Sequence, residues 1–474
     1  MNSESVLNIF REITTIPRES GHEGPITSWL QKWASSHNLE CRTDAVGNVL
    51  IVREASAGKE SVPTIVLQAH QDMVCEKNAG VDHDFLKDPI RYVIEDGWMI
   101  AKDTTLGADD GIGIAACLAL LEDDKPSGKV ECLFTISEET GMDGAEGLES
   151  GFFDGKTLIN LDSEDEGQLF IGCSGGLNTK ITLKYSTEPL NSGWTPVCLS
   201  ITGAVGGHSG DDINKERMNT VQQMARFLFG EMKKGLQLIS ISGGGKPNAI
   251  ARECTAVIAV PHPRATAMRF RSFGAALKAE EFSRTEPDVA FSARTADSCG
   301  PAVDSATAGN LISALFSMPH GVQAMSQTVP GLVETSSNLA SVRMEKGAFV
   351  VVTSQRSAIK AARRMMADRI EAAFRHTGAK VVKQYEYPGW VPNPDSPILG
   401  RCVESYRRLF GEEPMVLAIH AGLECGLFLE KFPGLDMISF GPTLRGVHAP
   451  GEKLELASLD RFVALLEDVV VNFK

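Results

Sequence analysis

Apolar positions along this 474-residue chain recur in two rhythms. Over 4–14 and 24–36 they fall three and four apart, the spacing of amphipathic helices. Residues 48–53, 64–69, 130–136 and 157–161 are instead short apolar runs of the buried-strand kind. Between two of these runs, 111–122 reads GIGIAACLALLE, a helix with little polar surface. Strand, helix, strand in this order predicts an α/β domain with a mostly parallel sheet flanked by helices.

From about residue 183 the texture changes. Strands are predicted over 197–202 and 256–261 and helices over 219–231 and 265–280, and a second set follows at 304–316, 348–354 and 358–375. Two rounds of strands and helices point to an inserted α+β domain, with internal duplication as a weaker expectation because the rounds share no sequence identity. The run YPGWVPNP at 387–394 is dense in turn-forming and stiffening residues and reads as the return crossing. A helix over 396–410, a strand over 436–440 and a closing helix over 458–473 restore the α/β texture. The expected organisation is therefore a first domain split into 1–186 and 389–474, with 187–388 inserted.

A formal charge of −15, with no stripe of Lys and Arg, argues against a nucleic-acid partner. Arg363 and Arg364 near Lys360 read as a solvated helix face. No run of 18 uncharged apolar residues suggests a membrane span, and the N-terminal residues lack the pattern of a secretory signal. The ten cysteines are scattered singly, which suits reduced thiols in a cytoplasm.

The acids and histidines fall just after the apolar strands. His70 ends one run, with Asp72 two residues on; Glu138 and Glu139 follow a second, and Asp162 a third. Asp109 precedes the GIGIAACLALLE helix, and His448 follows the late strand. Carboxyl ends of strands are where open α/β sheets build sites. Any one such acid is more often a helix cap or a surface residue; their recurrence, with His-x-Asp, carries the inference. Imidazole and carboxylate without thiolate suit Zn²⁺, Mn²⁺ or Co²⁺ in a hydrolytic site. For two ions, one carboxylate must be shared, and Asp109, between Gly107 and Gly111, is the candidate. Adjacent Glu138 and Glu139 point different ways in an extended segment, so one can bind metal while the other serves as base. Asp72 is placed to bond the imidazole of His70 from behind.

The segments LQAHQDMVCEK, TLGADDGIGIA, ISEETGMDGA, INLDSE and GVHAPGEKL resemble the motifs of the aminoacylase, carboxypeptidase-G and dipeptidase superfamily of co-catalytic zinc metallopeptidases. PRESGHE, GGHSG, KPNAIARE, YPGWVPN and HAGLECGLF are similar to its cytosolic non-specific dipeptidase group, also called aminoacyl-histidine dipeptidases. The resemblance spans essentially the whole chain. It departs at Asp110, where such dipeptidases often carry Asn, and it is thin over 265–345.

The resemblance implies a cytoplasmic hydrolase of unblocked L-dipeptides, Xaa-His types among them, with two metal ions per subunit. One ion would sit on His70, Asp109 and Asp162, the other on Asp109, Glu139 and His448, with Glu138 as general base and Asp72 orienting His70. The inserted domain would act as a lid and form a homodimer. His208 would stabilise the carbonyl oxyanion, Asn248 would hold substrate, and Arg356 would take the dipeptide's carboxylate, for which a guanidinium fork is suited. His420 and Glu424 are candidates for contact with the substrate amine, or residues that merely cap and pack. His22, His37, His83, His262, His320 and His376 read as structural or solvated. A tripeptide aminopeptidase, an N-acyl amino acid deacylase, a carboxypeptidase and a catalytically silent relative are the alternatives.

Overall fold

The computed structural model describes residues 1–296 and 300–474. The chain forms two compact units. The first comprises Met1–Cys173, Trp390–Ala418 and Leu423–Lys474, and the second Ser174–Gly389 with Ile419–Gly422. The outward crossing lies at Cys173–Ser174, ahead of the expected 186, because one strand follows another there with a single residue between them. The return falls at Gly389–Trp390, inside the Pro- and Gly-rich run.

In the first unit an eight-stranded sheet is built from β1 (Glu40–Thr43), β2 (Val49–Arg53), β3 (Ile65–His70), β4 (Val130–Thr135), β5 (Thr157–Asn160), β6 (Gln168–Cys173), β7 (Met415–Ile419) and β8 (Asp436–Ser439). Its order is β1-β2-β4-β3-β5-β8-β6-β7. The parallel run is the central four, β4-β3-β5-β8, while β1-β2, β2-β4 and β8-β6 pair antiparallel. Strands β3 and β4 are buried at every residue, which is why they read as continuous apolar runs. The helix Ala108–Glu122 is buried from Ala108 to Leu121, consistent with its apolar composition all round. Each parallel strand ends at the same sheet edge, and the loops beyond carry the acids and histidines.

The second unit holds a nine-stranded antiparallel sheet. One half has the order Ala290–Thr295, Thr195–Thr202, Cys254–Val260, Gln237–Gly244; the other has Val333–Glu345, Ala348–Ser357, Gly175–Lys184, Lys380–Tyr387, and the ninth strand, Gly321–Met325, pairs with Val333–Glu345. Each half is a strand-helix-strand-strand-helix-strand unit with its first strand between its third and fourth. The two halves thus share one wiring. Each unit has its own apolar core. No helix among the described residues is long and apolar enough to cross a membrane. The nine described cysteines are unpaired.

Candidate metal centre

His70 closes β3 with its ring fully buried. Its Nε2 faces Asp109 Oδ1 at 3.0 Å and Asp162 Oδ1 at 3.5 Å. The other oxygen of Asp109 faces His448 Nε2 at 3.1 Å, and that nitrogen lies 2.9 Å from Glu139 Oε1. Asp109 thus presents one oxygen to each of two imidazole–carboxylate pairs, the disposition of a bridging ligand. A ring nitrogen carries at most one proton, yet each of these two faces a pair of carboxylate oxygens. A cation between them would suit these facing lone pairs, and the donor atoms of His70, Asp109 and Glu139 lie within 4.8 Å of one another. The residues present therefore fit a pair of divalent ions. Asp110 also falls in such a group with His70 and Asp162, but its oxygens accept the N–H groups of His70 and Gly113, at 3.3 Å and 3.1 Å.

The electrostatics carry the same message. Burial works against charge on Asp109, but hydrogen bonds from His448 and His70 outweigh it and hold the carboxyl far below its usual range. Burial and the nearby Asp109 charge push Asp162 well above its ordinary value. His448, bonded to Asp109 and Glu139, is raised to about 11. Glu138 is pushed up to about 8 by burial and by the charges of Glu139, Asp109 and Asp72. Divalent cations held here would keep these crowded carboxylates ionised together.

Asp72 bonds more than His70. Its Oδ1 lies 3.3 Å from His70 Nδ1 and accepts the Glu138 N–H at 3.0 Å. Its Oδ2 accepts the Glu139 N–H at 3.2 Å and the Ser20 hydroxyl at 2.7 Å. Burial alone would raise Asp72, but His70 and these donors hold it at about 2. One carboxylate therefore fixes both an imidazole and the backbone of the glutamate pair. The Glu138 side chain has no hydrogen-bond partner among the described residues, which leaves its carboxylate free to take a proton.

Two residues without an assigned role frame the centre. Glu452 accepts the N–H groups of Leu106, Gly107, Ala108 and Asp109 at 2.7 to 3.4 Å. Arg18 donates to the carbonyls of Asp72, Gln71 and Gly107. Both are 2% exposed. A Cβ at Gly107 would collide with the Arg18 guanidinium, and its φ of +68° also favours glycine there. Nothing in local spacing marks Arg18, because its partners lie more than fifty residues away. The available signal is motif membership: Arg18 lies inside PRESGHE and Glu452 inside GVHAPGEKL.

The second unit gathers another set. His208 pairs in register with Ala249; its Nδ1 lies 3.1 Å from Asp211 and its Nε2 3.4 Å from Arg356 Nη2. Arg356, 7% exposed, donates to Tyr387 Oη at 3.2 Å and has no ion-pair partner among the described residues. His420 Nε2 lies 2.7 Å from the Ser336 hydroxyl; burial and the Arg356 charge lower this ring to about 3. The Asn248 side chain is exposed, and its carbonyl accepts the Ser209 N–H. Glu424, only four residues from His420, belongs to the first unit, fully buried and bonded to Gln68 and Thr135. That burial favours the packing reading of this residue over contact with a substrate amine.

Strand-end imidazoles and carboxylates arranged for two cations, with an unbonded carboxylate alongside, define the centre of a metal-dependent hydrolase. The chain belongs to peptidase family M20/M25/M40, whose model matches residues 66–472. It is 36% identical over 474 residues to the cytosol non-specific dipeptidase of Escherichia coli (strain K12), covering 99% of this chain and 98% of that one. The crystal structure of aminoacylhistidine dipeptidase from Vibrio alginolyticus is 37% identical and superposes with a TM-score of 0.93 over 99% of this chain and 96% of that one. Aminopeptidase PepT from Bacillus cereus ATCC 10987, at 16% identity and a TM-score of 0.65 over 99% of this chain and 98% of that one, shares the fold.

Proposed function

We propose that the protein is a dipeptidase that hydrolyses unblocked L-dipeptides, Xaa-His among them, using two divalent ions per chain. His70, Asp109 and Asp162 would hold one ion, and Asp109, Glu139 and His448 the other. When bound, the pair supplies Lewis acidity and lowers the pKa of a water toward neutrality, with Zn²⁺ best suited to this donor set and Mn²⁺ or Co²⁺ able to replace it. The observation that carries the proposal is the shared Asp109, one oxygen toward each imidazole, beside the unbonded carboxylate of Glu138.

Glu138 accepts the proton of the attacking water and returns it to the departing amine. Asp72 keeps the Nδ1 side of His70 occupied, leaving Nε2 for metal, and holds Glu138 and Glu139 by their backbones. His208 serves the developing oxyanion and Asn248 assists in holding the substrate. Arg356 takes the free carboxylate, a role supported by its burial without an acidic partner. In this reading His420 contacts the substrate amine. The first unit carries the catalytic centre, and the inserted second unit acts as lid and dimerisation surface. Action in the cytosol is supported by the likeness to the Escherichia coli relative and by the unpaired described cysteines.

A panel of dipeptides, tripeptides and N-acyl amino acids, run with chelator-stripped and metal-restored protein, tests the reading. Metal-dependent turnover greatest on dipeptides is expected. Preference for blocked substrates or tripeptides would contradict it.

A further inference from the structure

Beneath the metal centre, one rung of the central sheet is polar where an apolar core is the norm. Gln68 on β3, Asn160 on β5 and Ser439 on β8 are register partners on three adjacent parallel strands, and all three are fully buried. Their hydrogen bonds run in one direction. The Ser439 hydroxyl donates to Asn160 Oδ1, so the Ser163 hydroxyl, 2.6 Å away, must donate to Ser439. Asn160 Nδ2 donates to Gln68 Oε1 at 2.6 Å, and Gln68 Nε2 donates to Glu424 Oε2 at 2.7 Å. The Thr135 hydroxyl, at the end of β4, donates to that same oxygen at 2.8 Å. Every proton points toward Glu424, so its carboxylate is the terminal acceptor that sets the polarity of the chain.

The rung lies immediately under the ligands. Gln68 and His70 share a face of β3, two residues apart; Thr135 is the register partner of His70; Asn160 precedes Asp162 by two. Glu424 also precedes the helix Cys425–Lys431, so its side chain fastens that helix to the ends of β3 and β4. Buried polar groups cost free energy unless bonded, and a continuous chain of them specifies one arrangement of the strands they join.

Resting on the metal centre proposed above, we infer that Glu424 is a positioning residue: through Gln68 and Thr135 it fixes the strand ends that carry His70 and the glutamate pair, and thereby metal affinity. This assigns it neither ligand nor substrate contact. Its first oxygen, Oε1, has no partner, so only the Oε2 bonds are needed for the role.

The test is Zn²⁺ affinity, measured by competition with a chelating dye on folded protein. Glu424→Leu, which leaves Gln68 and Thr135 without an acceptor, is expected to weaken binding roughly 10- to 100-fold. Glu424→Gln, whose amide oxygen can accept both bonds, should restore affinity to within about threefold of wild type. Thr135→Val, a smaller change that keeps the fold, should weaken binding several-fold and decides the matter if Glu424→Leu does not fold. Glu131→Leu is the control: Glu131 lies on β4, fully buried, and bonds the N–H groups of Asp154 and Gly155. It should lower the urea midpoint without altering Zn²⁺ affinity. Wild-type protein that binds two ions while Glu424→Leu and Thr135→Val match it overturns the positioning role alone. Wild-type protein that binds none overturns the metal centre with it.

Discussion

Glu138 and Glu139 are chain neighbours with opposite surroundings. Glu139 meets His448, whereas Glu138 is held through its backbone alone and keeps a free carboxylate. We therefore predict that Glu138→Gln retains both metal ions by elemental analysis yet loses about 10²- to 10⁴-fold in kcat, the usual worth of a general base. Full activity in that variant would end the assignment. Asp72→Ala should differ, because it releases an imidazole and two backbone groups together: metal affinity falls about 10- to 100-fold, visible by equilibrium dialysis. For Arg356→Met, the expected signature is a raised KM for dipeptides with little change for dipeptide amides, which lack the carboxylate; equal loss on both would remove the assigned contact. His70, Glu138, Glu139 and Asp162 stood out as candidates in the sequence because each follows an apolar run, and Asp109 because it opens an apolar helix. The roles of Arg18 and Glu452 were not visible there, although both lie in the PRESGHE and GVHAPGEKL segments, since they act on backbone groups brought near only by folding.

Secondary elements place these residues, and each can be perturbed separately. Gly107 admits Arg18 at the start of the helix Ala108–Glu122, so Gly107→Ala should cost about 1–3 kcal/mol, read as a lowered urea midpoint, and loosen Asp109. In the second unit, His320 Nδ1 accepts the Leu339 N–H at 3.2 Å, which fastens a helix end to the strand Val333–Glu345. Burial lowers this ring from 6.5 to about 4. The neutral ring is thus favoured in the folded state. Its stabilisation is full above pH 6.5 and is lost as pH falls from 6.5 toward about 4, where the unfolded chain binds the extra proton. Urea midpoints of wild type and His320→Asn should converge over that interval; parallel pH slopes would contradict it. Element prediction succeeded where burial is two-sided, as in β3 and β4, and in amphipathic helices. It missed Val333–Glu345 and Lys380–Tyr387, because the first is rich in Ser and Thr despite its buried middle and the second lies largely exposed.

At the scale of the whole molecule, the chain makes two units by leaving the first at Cys173 and returning at Trp390. The return was visible as YPGWVPNP. The departure was not, because one residue separates two strands there and no turn signal marks it. The brief excursion Ile419–Gly422 into the second unit was equally hidden, and it explains how His420 and Glu424, four residues apart, come to have separate surroundings. The account as a whole rests on a centre that holds two ions through one shared carboxylate. Its most direct test is the turnover of an unblocked dipeptide by chelator-stripped protein titrated with Zn²⁺, Mn²⁺ or Co²⁺. The account predicts that stripping abolishes hydrolysis and that activity returns to a plateau at two equivalents per chain. Hydrolysis that survives stripping, or saturates at one equivalent, would contradict it.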